Sequence, residues 1–416
     1  MEQNTPTAVS GLSNVTQVAG GLFHSLFLKS DGAVWACGRN SMGQLGDGTN
    51  ANKNIPVQAN GLSNIIHTAG GGEHSLFVKN DGTVWSCGLN SSGQLGDGTT
   101  TSKTTATQIS GLNGIIKAAA GAEFSLFLKN DGTVWACGHN GNGQFGNGTT
   151  TTSTTPVQIS GLTNVIQISA GEWHSLFVKN DGTIWASGRN NYGQIGDGTN
   201  IDKSAFFQIT ALSGIIHAEA GGIHSVFLKS DGTVWACGLN SGGNNDGQLG
   251  DGTAVDKLSP VQVISNWGSE IIIRAEAARE HSTFLTENGT IWSCGRNNYG
   301  QLGNGVFSPG NSTSPVLSSS ACTILSTTTN NFENNDFKFT VFPNPFSTQT
   351  TLQADKLFHN ATLTVYNSFG QKVTQIKNIN GQSVTLFRDN LPNGLYLLYF
   401  TAENKITTSG KLVITD

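Results

Sequence analysis

Histidine recurs at one position of a repeated sequence pattern, and it is the residue type here best suited to metal or proton chemistry. The copies are His24, His74, His174, His224 and His281, and Phe124 takes the same position in the remaining copy. Imidazole is the commonest metal ligand in proteins. If the copies of the pattern are arranged around a common axis, however, their equivalent side chains do not converge on one point. We therefore expect these histidines to form structural hydrogen bonds and not a metal centre.

Cysteine is the second recurrent residue that could do chemistry. It lies two residues after a repeated tryptophan in five copies, with Ser187 in the sixth, at Cys37, Cys87, Cys137, Cys237 and Cys294. The spacing matches no zinc-binding pattern, and equivalent positions on separate units do not bring two Cβ atoms together. We predict buried free thiols. A disulfide between Cys294 and Cys322, the one cysteine outside the pattern, is the alternative.

Aspartate recurs in a glycine-rich loop whose commonest form is Gly-Gln-Leu-Gly-Asp-Gly-Thr. The loop lacks the Lys-Ser/Thr pair and the following helix that a phosphate-binding loop needs. Its aspartates are Asp47, Asp97, Asp197 and Asp251, with Asn147 and Asn304 in the other two copies. We predict that these side chains accept hydrogen bonds from the nearby backbone. A calcium site is the alternative.

Other signs of chemistry are missing from the sequence. It has no Gly-x-Ser-x-Gly elbow, no His-Glu-x-x-His motif and no singular pair of acidic residues outside the repeats. With 22 Lys and Arg against 27 Asp and Glu, the net charge of −5 gives no basic footprint for nucleic acid. No apolar run approaches the ~18 residues of a membrane span. We predict no catalytic residue, no cofactor and no metal, and a function that lies where the copies differ.

Short β-strands must position these residues. Tryptophan marks six copies of the pattern, at Trp35, Trp85, Trp135, Trp185, Trp235 and Trp292. The fourth copy has four runs rich in β-branched and apolar residues, at Pro156–Ser160, Val165–Ala170, Ser175–Lys179 and Thr183–Ser187. Asp-Gly or Asn-Gly joins the last two runs of each copy and predicts a type I′ hairpin turn. Four strands per copy predict an all-β propeller of four-stranded blades, each burying its tryptophan against a neighbour.

The repeated phrase is complete at residues 174–199, from His-Ser-Leu-Phe-Val-Lys through Asp-Gly-Thr-Ile-Trp to Gly-Gln-Ile-Gly-Asp-Gly-Thr. It resembles the regulator of chromosome condensation (RCC1-like) repeat family, and residues 1–317 are assigned to this propeller. The family's propellers usually have seven blades, so the resemblance implies that the six motifs are part of a seven-bladed ring. A six-bladed ring is the alternative. The family's best-known activity implies an alternative function, guanine-nucleotide exchange on a small GTPase.

The start of the sequence fits the middle of a repeat. Residues 5–12 align with residues 155–162, and the first residues have neither the basic nor the apolar region of a signal peptide. We expect Met1 to be an internal methionine of a longer protein that has a signal peptide and at least one more blade.

The C-terminal part of the chain has a different composition. Residues 318–336 are dominated by Ser, Thr and Asn and are predicted to be a linker, and alternating segments in residues 337–416 predict an immunoglobulin-like β-sandwich. Motifs in this region resemble the type A C-terminal sorting domain of the type IX secretion system of Bacteroidota. They contain Pro343, Asn344, Pro345, Tyr366, Gly370, Gly394, Tyr396 and Lys411. The resemblance implies that the type IX secretion machinery is a partner and that the protein is secreted or displayed on the outer-membrane surface.

The positions that differ between copies fall in two connections of the predicted blade. The first and third connections of a four-stranded meander lie at the same end, so their residues share one face. These residues are Phe23, Arg39, Glu73, Glu123, His139, Glu172, Trp173, Arg189, Tyr192, Arg279, Glu280, Arg296 and Tyr299. Aromatic residues and arginine dominate binding hot spots. We predict a non-enzymatic module that binds a protein or a glycan through this face; a secreted hydrolase accessory module is a further alternative.

Overall fold

Antiparallel β-strands make up the regular structure of the chain wherever the structure describes it. The computed structural model describes residues 3–242, 246–307, 310–318, 339–344, 346–367, 372–389, 391, 394–402 and 405–414. The chain divides into two compact units, Met1–Ile324 and Leu325–Asp416, and the division falls inside the predicted linker. Among the described residues there is no helix long and apolar enough to cross a membrane.

The described residues of the first unit form six four-stranded sheets, and within each sheet the strands lie in chain order. Taken four at a time, the strands are β1 (Val15–Gly20), β2 (His24–Lys29), β3 (Val34–Gly38), β4 (Lys53–Gln58), β5 (Ile65–Gly70), β6 (His74–Lys79), β7 (Val84–Gly88), β8 (Lys103–Gln108), β9 (Ile115–Ala120), β10 (Phe124–Lys129), β11 (Val134–Gly138), β12 (Ser153–Gln158), β13 (Val165–Ala170), β14 (His174–Lys179), β15 (Ile184–Gly188), β16 (Lys203–Gln208), β17 (Ile215–Ala220), β18 (His224–Lys229), β19 (Val234–Gly238), β20 (Lys257–Gln262), β21 (Ile272–Ala277), β22 (His281–Thr286), β23 (Ile291–Gly295) and β24 (Ser312–Leu317). These sheets are the blades of the propeller that the repeat predicts.

Burial follows the position of a strand in its blade. The second strand is covered on both faces because its sheet lies between two other sheets, and in β14 every residue but the last is buried. The fourth strand is partly exposed, and in β8 it is mostly polar. The first strands of successive blades, from β1 to β21, pack against one another. They therefore surround the axis of the propeller, and the first and third connections meet at one end of it.

The hairpin between the second and third strands differs from the predicted type I′ turn. In the fourth blade the Gly182 amide donates to the Lys179 carbonyl at 3.0 Å, and of the Asp-Gly pair only the glycine has a positive φ, of 74°. Asp181 keeps a negative φ, and its carboxylate accepts the Thr183 amide at 2.9 Å. The predicted turn type is therefore wrong. The glycine alone takes the left-handed conformation, as in a type I turn followed by a bulge.

Apolar clusters fill the five junctions between successive blades. Between the fourth and fifth blades, Leu176 and Ile184 of one sheet pack with Phe227 and Cys237 of the next. Fully buried phenylalanines from the second strands stand at each junction, at Phe77, Phe127, Phe177, Phe227 and Phe284. The core of this unit is thus a set of interfaces between sheets.

The repeated tryptophans are less buried than the sequence predicts. All six are partly exposed. The ring of Trp185 packs edge-on against Phe206, with the ring centroids 5.5 Å apart, and its Nε1 donates to Thr183 Oγ1 at 3.1 Å. Trp185 belongs to the third strand and pairs with Gln208 of the fourth strand, which is the outer strand of the blade. One side of the indole therefore contacts solvent, unlike the residues of the fully covered second strand.

Residues near the start of the chain lie against the sixth blade. The Gly305 amide donates to the Asn4 carbonyl at 2.9 Å. At the preceding junction Gly252 donates in the same way to Thr313, in the fourth strand of the sixth blade, at 2.8 Å. Asn4 thus takes the place of a fourth strand of a following blade. Six blades are present among the described residues, and the seven-bladed ring stays a prediction.

In the part of the second unit that the structure describes, one sheet contains β25 (Phe339–Phe342), β26 (Gln349–Asn367), β27 (Lys372–Phe387), β28 (Gly394–Ala402) and β29 (Lys405–Ile414). Register shifts between Gln353 and Leu363 divide β26 into a part that pairs with β25 and a part that pairs with β28. Leu352 and Leu363, from the two parts, share one core. This β-rich arrangement is consistent with the predicted immunoglobulin-like sandwich.

The sorting-motif residues lie at strand ends and within strands. Pro343 and Asn344 directly follow β25, and Tyr396 of β28 is 4 % exposed. Three others contribute their backbone to β26, β28 and β29, namely Tyr366, Gly394 and Lys411. Two fall outside the described residues, Pro345 and Gly370.

Candidate functional site

The first connections of the blades form a belt of backbone hydrogen bonds around one end of the axis. The amide of one connection donates to a carbonyl in the next. The bonds run from Leu22 to Gly71 at 3.1 Å, Gly72 to Gly121 at 3.0 Å, Ala122 to Glu172 at 3.2 Å, Glu172 to Gly222 at 3.3 Å and Gly222 to Ala278 at 3.1 Å. We call the thirteen residues predicted to bind, with the connections that hold them, the variable face.

Two ion pairs of the variable face join different blades. Arg39 Nη1 lies 2.8 Å from Glu73 Oε1 and links the third connection of the first blade to the first connection of the second. Arg279 Nε lies 2.9 Å from Glu172 Oε1 and passes over the fifth blade. Gly222 makes room for this crossing, because a Cβ there would lie 2.6 Å from the Arg279 carbonyl oxygen. The first and third connections therefore do share one surface.

The other charged residues of the variable face have partners nearby. Arg296 pairs with Glu280 within the sixth blade. Ser92 Oγ donates to Glu123 Oε2 at 2.7 Å, and Arg189 Nε donates to Asn191 Oδ1 at 2.8 Å. Exposed pairs of this kind contribute little stability, about 0–1 kcal/mol. Their effect is to hold charged groups in defined positions.

The aromatic residues of the variable face differ in exposure. His139 packs edge-on against Trp173 with the ring centroids 5.2 Å apart, and Gln144 Nε2 donates to His139 Nδ1 at 2.9 Å. Trp173 and Tyr192 are partly buried. Tyr299 is 60 % exposed. It is therefore available to a partner without rearrangement.

Aromatic rings lie beneath arginines at both ends of the described ring of blades. In the first blade the Arg39 guanidinium lies 5.6 Å from the centre of the Phe23 ring, which is 51 % exposed. In the sixth blade the Arg296 guanidinium lies 5.8 Å from the centre of the Tyr299 ring. Each arginine is also paired with a glutamate, which is Glu73 of the second blade for Arg39 and Glu280 of the same blade for Arg296.

The recurrent histidines connect neighbouring blades, as expected for structural hydrogen bonds. Ser75 Oγ donates its one proton to the Gln44 carbonyl at 2.7 Å, so His24 Nε2 must donate to Ser75 Oγ at 2.8 Å. Three more junctions have the same bond, His74 to Ser125 at 3.0 Å, His174 to Ser225 at 2.9 Å and His224 to Ser282 at 2.9 Å. Burial lowers the pKa to about 4 for His24 and to about 3 for His74. These imidazoles are therefore neutral at pH 7.

The recurrent cysteines lie at the same junctions. Cys87 Sγ is 3.6 Å from the Gln44 carbonyl that also accepts Ser75, and Ser187 Oγ donates to the Gln144 carbonyl at 3.1 Å in the copy without cysteine. The five cysteines of the repeats are free thiols. Burial raises the pKa of the Cys87 thiol far above its usual range. Cys322 lies outside the described residues, and Cys294 is free and buried.

The aspartates of the glycine-rich loops have their carboxylates occupied. Asp47 Oδ1 accepts from Asn40 Nδ2 at 3.0 Å and from the Thr49 amide at 2.9 Å, and Lys53 Nζ lies 3.5 Å from Oδ2. Equivalent lysines lie near Asp97, Asp197 and Asp251. The carboxylates accept local hydrogen bonds, as predicted, and a lysine occupies the position that the calcium alternative would give to a cation.

Polar residues on the first strands form a cluster that the sequence did not predict. One ligand atom each from His217, Glu219 and Glu276 lie within 4.8 Å of one another. Ser169 Oγ donates to Glu219 Oε2 at 2.6 Å. We call these four residues and Arg274 the axial cluster. Both glutamates lie within the repeats, and the fold brings them together from adjacent copies.

Charges of both signs meet in the axial cluster. Arg274 Nε donates to Glu276 Oε1. Burial, and then the neighbouring Glu276 carboxylate, raise the pKa of Glu219 well above its usual range. Burial lowers the pKa of Lys117, on the first strand of the third blade, to about 7. The sequence does contain a signal for this cluster, at the third and fifth residues of the first strands. These residues are His and Glu in the fifth blade and Arg and Glu in the sixth, and no other blade has a glutamate there.

Two kinds of family description match the chain. The RCC1-like domain matches residues 57–337, and the regulator of chromosome condensation (RCC1) repeat matches residues 31–78 and 15–44. The secretion system C-terminal sorting domain matches residues 340–415.

Relatives and solved structures agree with these matches. The chain is similar to the Protein RCC2 homolog of Danio rerio, 43 % identical over 77 residues, and to that of Xenopus laevis, 38 % identical over 64 residues. The matched stretches cover 18 % and 15 % of this chain but only 14 % and 12 % of those relatives. Human WBSCR16 superposes with a TM-score of 0.68 at 23 % identity, over 76 % of this chain and 85 % of its own. Yeast RCC1 (Prp20), in its structure bound to Kap60, superposes with a TM-score of 0.63 at 22 % identity. The match covers 74 % of this chain and 76 % of the yeast chain.

Proposed function

The chain belongs to the RCC1-like domain family and ends in a secretion sorting domain, and from this premise we propose a non-enzymatic binding protein that recognises a protein or a glycan through its variable face. The sorting domain addresses the propeller for secretion or for the cell surface through the type IX secretion system. The proposal concerns what the exported propeller does.

The observation that carries the proposal is an exposed aromatic ring that lies beside a glutamate-paired arginine, found at two places on the variable face. Phe23 and Tyr299 are 51 % and 60 % exposed, and each has a guanidinium near its face. Aromatic residues and arginine are the types that contribute most to binding hot spots. An arginine already held by a glutamate loses less conformational freedom when a partner binds, which favours affinity.

The rest of the variable face supports a rigid recognition surface. The belt of backbone hydrogen bonds fixes the first connections, and Arg279 with Glu172 ties two of them together. Trp173, held by His139, offers a partly exposed indole on the same surface. A partner would therefore meet preformed contacts of aromatic, cationic and anionic character.

The alternatives have weaker support in this chain. Prp20p of Saccharomyces cerevisiae, described with its binding to Gsp1p and histones, is 23 % identical to this chain, and a likeness at that level shows the fold alone. Guanine-nucleotide exchange therefore rests on the family likeness. The hydrolase accessory alternative rests on the secretion route.

The test is a binding screen with the full chain. Labelled protein is applied to an array of defined glycans and to a panel of purified extracellular proteins, alongside a Phe23→Ala/Tyr299→Ala variant. The control is Ile55→Ala/Leu258→Ala, which removes exposed apolar side chains from fourth strands. Binding by parent and control that falls at least about tenfold in the face variant supports the proposal. Equal binding by all three, or no binding by the parent, contradicts it.

A further inference from the structure

The first strands of the last two blades carry side chains unlike those of the other four. The third and fifth residues of the strand are His217 and Glu219 in the fifth blade and Arg274 and Glu276 in the sixth. The fifth residue is Ala19, Ala69, Ala119 and Ser169 in the first four blades. Successive first strands pack against one another, so the two glutamates come from adjacent strands around the axis.

The three side chains of His217, Glu219 and Glu276 converge. Their ligand atoms lie within 4.8 Å of one another, and His217 Nε2 lies 3.4 Å from Glu219 Oε1. His217 is only 7 % exposed, and its Nε2 is the nitrogen that faces Glu219. Two carboxylates brought close together beside a buried imidazole favour the binding of a cation between them.

We propose that His217, Glu219 and Glu276 bind one divalent transition-metal ion of the zinc class, with water completing its coordination. One imidazole and two carboxylates are ligands that Zn²⁺ accepts in three-ligand sites. Bonds of about 2.0–2.2 Å to a shared ion require these ligand atoms to close by only a small movement. The site lies on the first strands and goes beyond the proposed function of the variable face.

Neighbouring residues fix the orientation of Glu219, and Arg274 competes with a metal ion for Glu276. Ser169 Oγ donates to Glu219 Oε2 at 2.6 Å, and Gln167 Nε2 donates to Glu219 Oε1 at 3.2 Å. Such second partners fix the orientation of a ligating carboxylate. Arg274 occupies Glu276, and its side chain is 43 % exposed, so it can swing into solvent when an ion arrives.

The repeats themselves provide substitutions that the fold accepts. Gln17 and Gln167 stand at the position of His217, and each bonds to the backbone of the next first strand. Alanine stands at the position of Glu219 and Glu276 in three blades. The variants H217Q, E219A and E276A are therefore expected to fold. His67→Gln is the matched control, because His67 has the same strand position in a blade whose fifth residue is Ala69.

The experiment uses the full chain, free of affinity tags and treated with a chelator. Zn²⁺ binding is measured by calorimetry, and Co²⁺ binding by the visible absorption that reports tetrahedral coordination. We expect one ion per chain for the parent and the control, and affinity at least about tenfold weaker in each of the three ligand variants. We also expect Arg274→Gln to bind Zn²⁺ more tightly than the parent, since the competing cation is gone.

Two results would overturn the proposal. One is a parent that binds no Zn²⁺ or Co²⁺, and the other is equal stoichiometry and affinity in the parent and in E219A and E276A. Thermal melting of the metal-free variants establishes that they are folded. Failure of this site leaves the proposed function untouched, because the binding screen uses residues of the variable face.

Discussion

Asp197 Oδ2 lies 2.7 Å from Lys203 Nζ, and this contact links a glycine-rich loop to the first residue of a fourth strand. The Asp197 side chain is 2 % exposed. Burial opposes its ionisation, but hydrogen bonds from Lys203, Thr199 and Asn190 outweigh that and lower its pKa. The four blades with aspartate at this loop position have lysine as the first residue of the fourth strand. In the two blades with Asn147 and Asn304, the fourth strand begins with Ser153 and Ser312 instead. Each aspartate thus occurs together with its own cation.

The first prediction tests this dependence in the third blade. Asn147→Asp alone should lower the free energy of unfolding by about 1–3 kcal/mol, because it places a carboxylate in a partly buried loop without its lysine. Asn147→Asp with Ser153→Lys should recover most of that loss. The measurement is a double-mutant cycle by chemical denaturation, with an expected coupling energy of about 1 kcal/mol. A coupling energy near zero would show that the ion pair does not explain why aspartate in the loop occurs together with lysine in the fourth strand.

The repetition of the sequence explains how much of the fold could be predicted. Strand-forming runs of similar length recur with Gly, Asn and Asp between them, so the four-stranded blade follows from pattern alone. The bounds predicted for the fourth copy, such as Val165–Ala170, agree with β13. The turn type did not follow, because the choice depends on the hydrogen bond that the Asp181 carboxylate accepts from the Thr183 amide.

The axial cluster marks the limit of sequence reasoning on the site. Glu219 and Glu276 are distant in sequence, and each occupies a position that is alanine in other repeats. Only the packing of adjacent first strands brings them together. The variable face was easier to predict, because the topology of a meander places its first and third connections at one end. Which of its residues pair, such as Arg279 with Glu172, depends on side-chain geometry.

The second prediction concerns the stability of the propeller in acid. Burial lowers the pKa of His174 and His224 to about 3, against 6.5 for the exposed imidazole. The unfolded chain therefore binds protons that the folded chain does not, and stability present above pH 6.5 is lost as the pH falls toward 3. Each such histidine contributes about 1.4 kcal/mol per pH unit within this window. We expect the melting temperature to fall steeply between pH 6.5 and 4.

His174→Phe provides the control, since Phe124 stands at the equivalent position in the third blade. The variant should be less stable than the parent at pH 8, because Ser225 loses its donor. Its melting temperature should also depend less on pH. An unchanged pH dependence would mean that His174 does not contribute to acid unfolding.

The third prediction concerns the thiols. Burial raises the pKa of Cys87, Cys137 and Cys237, so a thiol reagent should leave them unmodified in the native protein and modify them after unfolding. Cys37 is the least buried of the five repeat cysteines and should react before the others. Peptide mapping after timed alkylation gives the order. Reaction of Cys237 as fast as Cys37 in the native state would refute the assigned burial.

The last prediction compares two aromatic residues paired across strands of the fourth blade. Phe177 is fully buried, and Trp185, opposite it in β15, is partly exposed. Phe177→Ala should cost about 3–5 kcal/mol, because it leaves a cavity between two blades. Trp185→Ala should cost less, about 2 kcal/mol, because the indole already contacts solvent and its removal leaves an open surface. Thermal and chemical denaturation of both variants gives the comparison, and a larger loss for Trp185→Ala would show that the tryptophan is the main packing residue.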